Sequence, residues 1–244
     1  MQKEIIVIPD VHGREFWQNA IPDDIENYMV VFLGDYLDPY EDEDVDWWGM
    51  WERFEAIINL KHQHPENVIL LLGNHDLHYV WRESIPRGDR YNIYQQQLIA
   101  DCIAKNWDVF QIAYETTLSG KNFLFTHAGV SRFWLQCYPH LFPTPDAVTA
   151  EILNHLFVDS PEFMRALGDV SPARGGSSYT GSPIWADETE MSYPPAWFGN
   201  YIQVFGHTMG SGVRNYFNRA YCVDCRKAIR ISAEGLVLKN NDFQ

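Results

Sequence analysis

The sequence predicts an α/β (α+β) chain on three observations. Short apolar runs at residues 5–8, 30–33, 68–72 and 123–125 show no polar alternation, the mark of strands covered on both faces. Helical spacing occurs between them, as at Trp47, Trp51, Phe54 and Ile58. Each of these runs, and a fifth at 201–205, breaks into a short turn that carries Asp, Asn or His.

In chain order, residues 4–9 read as a buried strand ending at Asp10-Val11-His12-Gly13, and 14–20 as a short helix. A strand at 29–33 runs into Gly34-Asp35-Tyr36-Leu37-Asp38. Taken alone, Asp35 and Asp38 are ordinary turn residues. The acidic block 41–46 leads into the helix of Trp47 to Ile58, where carboxylates at the N-terminus suit the dipole. We prefer that reading of the block to a calcium or substrate site. A third strand at 67–72 closes on Gly73-Asn74-His75-Asp76, a helix is expected near 92–105, and a fourth strand at 122–126 ends at His127-Ala128-Gly129. Thr144-Pro145 and Ser160-Pro161 look like N-cap and first-turn pairs that open helices over 145–157 and 161–167. Residues 168–199, rich in Gly, Pro and Ser, form a long loop of the kind that usually carries function. Strand 201–205 leads to Gly206-His207-Thr208, and from Arg219 onward two or three short antiparallel strands are expected. No repeat or linker interrupts residues 1–244, which read as one domain.

Composition narrows the function. The 244 residues are 46% hydrophobic and 15% aromatic, in the range of a globular protein with a sizeable core. A formal net charge of −15 argues against binding a nucleic-acid polymer or an anionic membrane, though a locally cationic site for a small anion is compatible with it. The leading apolar run, residues 5–8, is too short for a signal peptide or a membrane span, so a soluble cytoplasmic protein is expected.

The five strand ends carry the functional signal together. They present Asp10 and His12, Asp35 and Asp38, Asn74, His75 and Asp76, His127, and His207, with no cysteine among them. A lone His after a strand is usually structural. Five such turns point to a metal site with oxygen and nitrogen ligands.

With Asp10-x-His12, Gly34-Asp35-x-x-Asp38, Gly73-Asn74-His75-Asp76, His127-x-Gly129 and Gly206-His207 in this order, the chain resembles the calcineurin-like metallophosphoesterase family. Within it the look is of the bacterial and phage phosphoprotein phosphatases and the diadenosine-tetraphosphate hydrolases. The resemblance implies a four-layer α/β/β/α sandwich of two mixed sheets flanked by helices. It implies two divalent metal ions, manganese first, with iron, zinc or nickel as alternatives. Asp10 and His12 would hold one ion, Asn74, His127 and His207 the other, and Asp35 both. Two such ions carry about four positive charges, and Asp10 and Asp35 offset about two of them, so a phosphate is attracted despite the acidic surface. A dimetal site of this kind clamps the phosphoryl oxygens for in-line attack. His75, paired with Asp38, would be the general acid at the leaving oxygen. The expected activity is hydrolysis of phosphomonoesters on a phosphoprotein, with a dinucleoside polyphosphate hydrolase as the alternative. A phosphodiesterase or an inactive binding module is disfavoured.

Two departures stand out. Met209 occupies the position where many phosphodiesterase members have a second His. Pro39-Tyr40 replaces the Arg-Gly that continues the opening motif in phosphoprotein phosphatases, so a planar phosphate contact is missing. Arg174, upstream of Trp185-Ala186-Asp187, is the first substitute, with Arg14 and Arg132 behind it. For the alternative substrate, Tyr179, Trp185 and Trp197 would build a base pocket. Cys222 and Cys225 read as buried free thiols, and His62 and His64 as partners of a helix C-terminus. His78, His140 and His155 have no motif context.

Overall fold

In a computed structural model, which describes residues 3–232 and the backbone of 235–239, the chain folds as two mixed sheets packed face to face with helices outside. The first three apolar runs become parallel neighbours: β1 (Glu4–Ile8), β2 (Tyr28–Phe32) and β3 (Val68–Leu71), in the register Ile6↔Val30 and Val30↔Val68. β4 (Phe110–Gln111) extends this sheet parallel to β3. On the far side β10 (Ile229–Ser232) pairs antiparallel with β1, and β11 (Gly235–Lys239) with β10. The second sheet has the order β5-β6-β7-β9-β8, from β5 (Ala113–Leu118), β6 (Lys121–Thr126), β7 (Tyr201–Phe205), β8 (Arg214–Tyr216) and β9 (Ala220–Cys222).

The uninterrupted apolar runs are explained by this layering. Along a strand successive side chains alternate faces. Ile5, Val7, Val31, Leu33, Ile69 and Leu71 therefore turn inward against Phe123, Phe125, Val204, Tyr221 and Val223 of the second sheet. Their neighbours Ile6, Ile8, Val30, Phe32, Val68 and Leu70 turn outward to a cluster holding Phe54 and Ile57 of α1 (Trp47–Gln63), Leu77 of α2 (Asn74–Val80), and Ile99 and Ile103 of α3 (Gln96–Lys105). Burying each such side chain contributes about 1.5–3 kcal/mol, and a slip of one residue would exchange the two faces, so both layers fix the register. Trp134 of α4 (Arg132–Cys137), Leu153 of α5 (Ala150–Asp159) and Phe163 of α6 (Pro161–Ala166) join Leu124 of β6 in the outer cluster.

Several expected elements differ in detail. Residues 14–20 give only a 3₁₀ turn, Gln18–Ala20, because Arg14 is drawn away to Glu43 and the Asp10 carbonyl. Thr144-Pro145 opens a single 3₁₀ turn, Pro145–Ala147, and the true cap of α5 is Thr149, whose side chain accepts from Ile152 N. Ser160 caps α6 as expected, through Phe163 N. In the tail β10 and β11 pair antiparallel as expected, whereas β9 runs parallel to β7. Glu43 of the acidic block bonds Arg14 and Arg226, and only Asp46 caps α1, through Gly49 N. Cys222 and Cys225 are buried and free, and fall in different apolar clusters. No helix among the described residues is long and apolar enough to cross a membrane.

β1, β2 and β3 are parallel in one sheet, and β6, β7 and β9 in the other. Their carboxyl ends meet along one edge, where groups of the two sheets bond each other.

Candidate metal centre and active site

The contacts across that edge assemble the site. His127, beyond β6, donates Nδ1–H to the Leu33 carbonyl of the other sheet at 2.8 Å. His207 N, beyond β7, donates to both oxygens of Asp10, at 3.0 and 3.1 Å. Gly206 allows this approach, since a Cβ there would overlap Asp10 Oδ1, and Gly73 does the same for Asp35 Oδ1. His12, Asp35, Asp38 and His207 all have left-handed backbones, with φ of 45°, 52°, 57° and 64°. Non-glycine residues rarely adopt this region, and such strain is held where a site demands it.

Two groups of ligand atoms result, Asp10/His12/Asp35 and Asp35/His127/His207. Asp35 belongs to both through one oxygen: Oδ2 lies 3.6 Å from His12 Nε2 and 3.4 Å from His127 Nε2, while Oδ1 accepts from His75 N at 2.9 Å. His127 Nε2 also faces Asn74 Oδ1 at 3.1 Å and His207 Nδ1 at 3.2 Å. A carbonyl can only accept, so the Leu33 bond commits the His127 proton to Nδ1, and the Leu37 carbonyl, 2.8 Å from His12 Nδ1, does so for His12. Both Nε2 atoms then offer lone pairs to carboxylate and amide oxygens that are themselves acceptors. Among the described residues, Asn74 Nδ2 and His207 Nε2 are buried without a hydrogen-bond partner. Converging electron pairs with no proton between them fit a cation, and imidazole, carboxylate and amide donors suit a divalent transition metal.

Electrostatics agrees. Burial keeps His12 neutral, its pKa pushed down to about 3, and holds His207 well below the imidazole range. Burial also raises Asp10, against the pull of His127. For Asp35 burial acts upward too, but the pull of neighbouring imidazoles, His127 and His75 first, outweighs it and holds the carboxyl well below its ordinary value. Neutral imidazoles beside an ionised, shared carboxylate are the protonation states that metal binding needs.

A third group of acids and imidazoles, Asp38, His75 and His78, lies beside this centre. Asp38 Oδ2 is 2.8 Å from His75 Nδ1 and its Oδ1 accepts from Tyr79 OH. His78 Nε2 stands 2.9 Å from Asp38 Oδ2 without the alignment of a good hydrogen bond, and Gly88 N donates to its Nδ1 at 3.1 Å. Burial disfavours charge on His75, yet Asp35 and Asp38 outweigh it and its pKa rises above the usual value. His78 and Tyr79 were not expected here. Their signal is the spacing, three and four residues beyond His75 on α2, which puts all three on one helix face. Asp76 is no ligand atom either: its carboxylate accepts from the backbone N of Asp35, Tyr36 and Gly73, at 2.7, 2.9 and 2.9 Å, tying two ligand turns together.

A cavity of about 380 Å³ lies over these groups, lined by Asp10, His12, Asp35, Asn74, His75 and His207 together with Tyr40, Trp185, Arg87, Arg90 and Arg174. Arg174 is thus at the cavity, in an ion pair with Asp187 at 3.0 Å that lacks hydrogen-bond alignment. Arg14 and Arg132 do not line it. Arg14 is spent on Glu43 at 2.8 Å, and Arg132 bonds the Trp197 carbonyl and Asp146. Of the expected base pocket, Trp185 lines the cavity, whereas Tyr179 is 81% exposed and Trp197 packs with Met191 and Phe205. Arg87 and Arg90 come from a loop that no sequence motif marked.

A family model described as calcineurin-like phosphoesterase matches residues 3–211. No curated protein matches the chain significantly. Among solved structures the chain is similar to a point mutant of a cold-active protein tyrosine phosphatase, at 16% identity over 100% of this chain and 81% of that one, with a TM-score of 0.56. It is also similar to a protein serine/threonine phosphatase from Saccharomyces cerevisiae with similarity to human phosphatase PP5, at 18% identity over 94% of this chain and 73% of that one, with a TM-score of 0.54. At these identities the likeness is one of fold.

Proposed function

The chain belongs to the calcineurin-like phosphoesterase family, whose members hydrolyse phosphate esters, and from that premise we propose that it is a metal-dependent phosphomonoesterase most like a serine/threonine phosphoprotein phosphatase. The observation that carries this reading is the shared position of Asp35 Oδ2, between a group of Asp10 and His12 and a group of His127 and His207, under a cavity that His75 also lines with Asp38 bonded behind it.

Asp10, His12 and Asp35 would hold one ion, and Asp35, Asn74, His127 and His207 the second, with manganese the first choice. When bound, two such ions supply the positive charge that draws a phosphate in and polarises its oxygens. The protein's own part is positional. His75 has Nδ1 fixed by Asp38 and is left with Nε2 at the cavity, where it can serve the departing oxygen. Arg87, Arg90 and Arg174 bring three guanidinium groups to the cavity, set against the carboxylates of Asp10, Asp35 and Asp89 that line it too, on a chain of net charge −15. Met209, half exposed, supplies no imidazole where a phosphodiesterase would use one, which favours monoesters.

One observation keeps the dinucleoside polyphosphate hydrolase as the alternative. A pocket of about 230 Å³, lined by Asp38, Pro39, Glu41, Trp47, Met50, Arg90 and Asn92, shares Arg90 with the catalytic cavity and has an aromatic wall for a base. Metal content and turnover of phosphopeptides, diadenosine tetraphosphate and a cyclic dinucleotide, measured side by side, test both readings. Phosphopeptide turnover that requires manganese and exceeds the other two is expected; preference for diadenosine tetraphosphate reverses the order, and a metal-loaded protein inert to all three refutes both.

A further inference from the structure

Pro39-Tyr40 stands where a phosphate-gripping arginine was expected, and the fold fills the gap from 50 residues downstream. The Tyr40 ring meets His12 edge-on at 5.0 Å, so it borders the candidate metal centre. Three guanidinium groups gather around that ring: Arg90 at 3.7 Å, Arg14 at 5.1 Å and Arg226 at 5.5 Å. Two of them share the one carboxylate of Glu43, which lies 2.8 Å from Arg14 and 3.2 Å from Arg226. At the opposite wall Arg174 is engaged with Asp187 and Thr208.

Arg90 is in a different state. Nη1 donates to the Asp38 carbonyl at 2.7 Å, and Nη2 stands 3.3 Å from His75 Nε2, inside the cavity. Its one carboxylate contact among the described residues is Asp89, at 3.4 Å and with a side chain 80% exposed, so water screens it. The loop that carries it is pressed onto the site: a Cβ at Gly88 would come within 2.8 Å of His75 Cε1, and Arg90 itself has a left-handed φ of 63°. A guanidinium stacked on an aromatic face and tied through one nitrogen loses little further freedom on gripping an anion.

We propose that Arg90, held on the Tyr40 ring, is the phosphate-binding residue of this site, in place of the arginine absent at Pro39; this rests on the phosphomonoesterase reading above. Its Nη2 and His75 Nε2 are neighbours, so one phosphoryl group can present a non-bridging oxygen to Arg90 and its leaving oxygen to His75. Arg90 thereby sets the orientation in which the His75–Asp38 pair serves the departing group.

Inorganic phosphate is the probe, used with the full chain loaded with manganese. Charge-assisted hydrogen bonds of this kind predict that Arg90→Ala raises KM for a phosphomonoester and Ki for phosphate by about 10–100-fold, with metal content unchanged. Arg90→Lys should recover only part of the loss, because a point charge does not reproduce the planar fork. Tyr40→Leu, which keeps the cation and removes its platform, should raise both constants by a smaller factor. A folded, metal-loaded Arg90→Ala protein whose phosphate Ki stays within about twofold of the parent overturns the assignment, as does a loss confined to kcat. If Arg90→Ala fails to fold, Arg90→Gln, which can keep the bond to the Asp38 carbonyl, is judged by the same Ki. Calorimetric titration with phosphate reads Arg90 even if the parent protein turns over no monoester, an outcome that would instead sink the proposed activity.

Discussion

Replacing Asp38 by Asn isolates the charge behind His75 while keeping the shape of the side chain. The carboxylate sits 2.8 Å from His75 Nδ1 and accepts from Tyr79 OH, with His78 Nε2 2.9 Å away. A hydrogen bond to a charged group contributes about 1.5–3 kcal/mol, which at about 1.4 kcal/mol per decade is a factor of about 10–100 in rate if it acts in the transition state. Removing the acid altogether, as in His75→Asn, sets the ceiling at about 10²–10⁴-fold, the usual worth of positioned proton transfer. Both losses should appear in kcat on an alkyl phosphate and shrink on p-nitrophenyl phosphate, whose leaving group needs little protonation. The double variant should be no slower than His75→Asn, since the two residues act as one unit. The assay is steady-state kinetics on both substrates, with metal content measured on the same samples. Equal losses on the two substrates, or losses that multiply in the double variant, would refute the pairing as the proton donor.

Other expectations follow from the same geometry. Asp35→Asn should empty both metal positions, because one oxygen serves both groups; elemental analysis that finds a fully metallated variant contradicts the bridging role. Asp224 offers a test by pH. Burial first, and then the charge of Asp10, push it up to about 8. The native metal-free protein thus keeps a proton that the unfolded chain releases near pH ~3.9. Stability is then full below that pH and falls as pH rises toward about 8. Asp224→Asn should flatten this slope in thermal melts of the metal-free protein, and an unchanged slope refutes the assignment.

The order of the strands and the nature of their ends were legible because both are local. An apolar run with no alternation can only be buried on both faces, and a Gly beside Asp or His at its end marks a turn that brings backbone and carboxylate close. Gly73 and Gly206 show the cause, since a side chain at either would strike a carboxylate of the opposite turn. The α2 helix escaped notice because its seven residues are nearly all buried, so Asn74 to Val80 has no polar face to reveal a period. The short strands β4 and β5 were missed for a related reason: Glu115, Thr116 and Thr117 look like loop residues until pairing with β6 supplies their partners.

By itself, then, the amino-acid sequence determined the layered α/β architecture, the family and the set of residues at the strand ends. The tertiary structure alone decided that His78 and Tyr79 stand behind Asp38, and that Arg90 rather than Arg14 or Arg132 faces the cavity beside His75. The physical reason is separation along the chain. Tyr40 and Arg90 meet across 50 residues, and Asp10 and His207 across 197, through loops whose course depends on packing and on which carboxylates claim which arginines. No local spacing encodes that competition, and Glu43, by claiming Arg14, settled it.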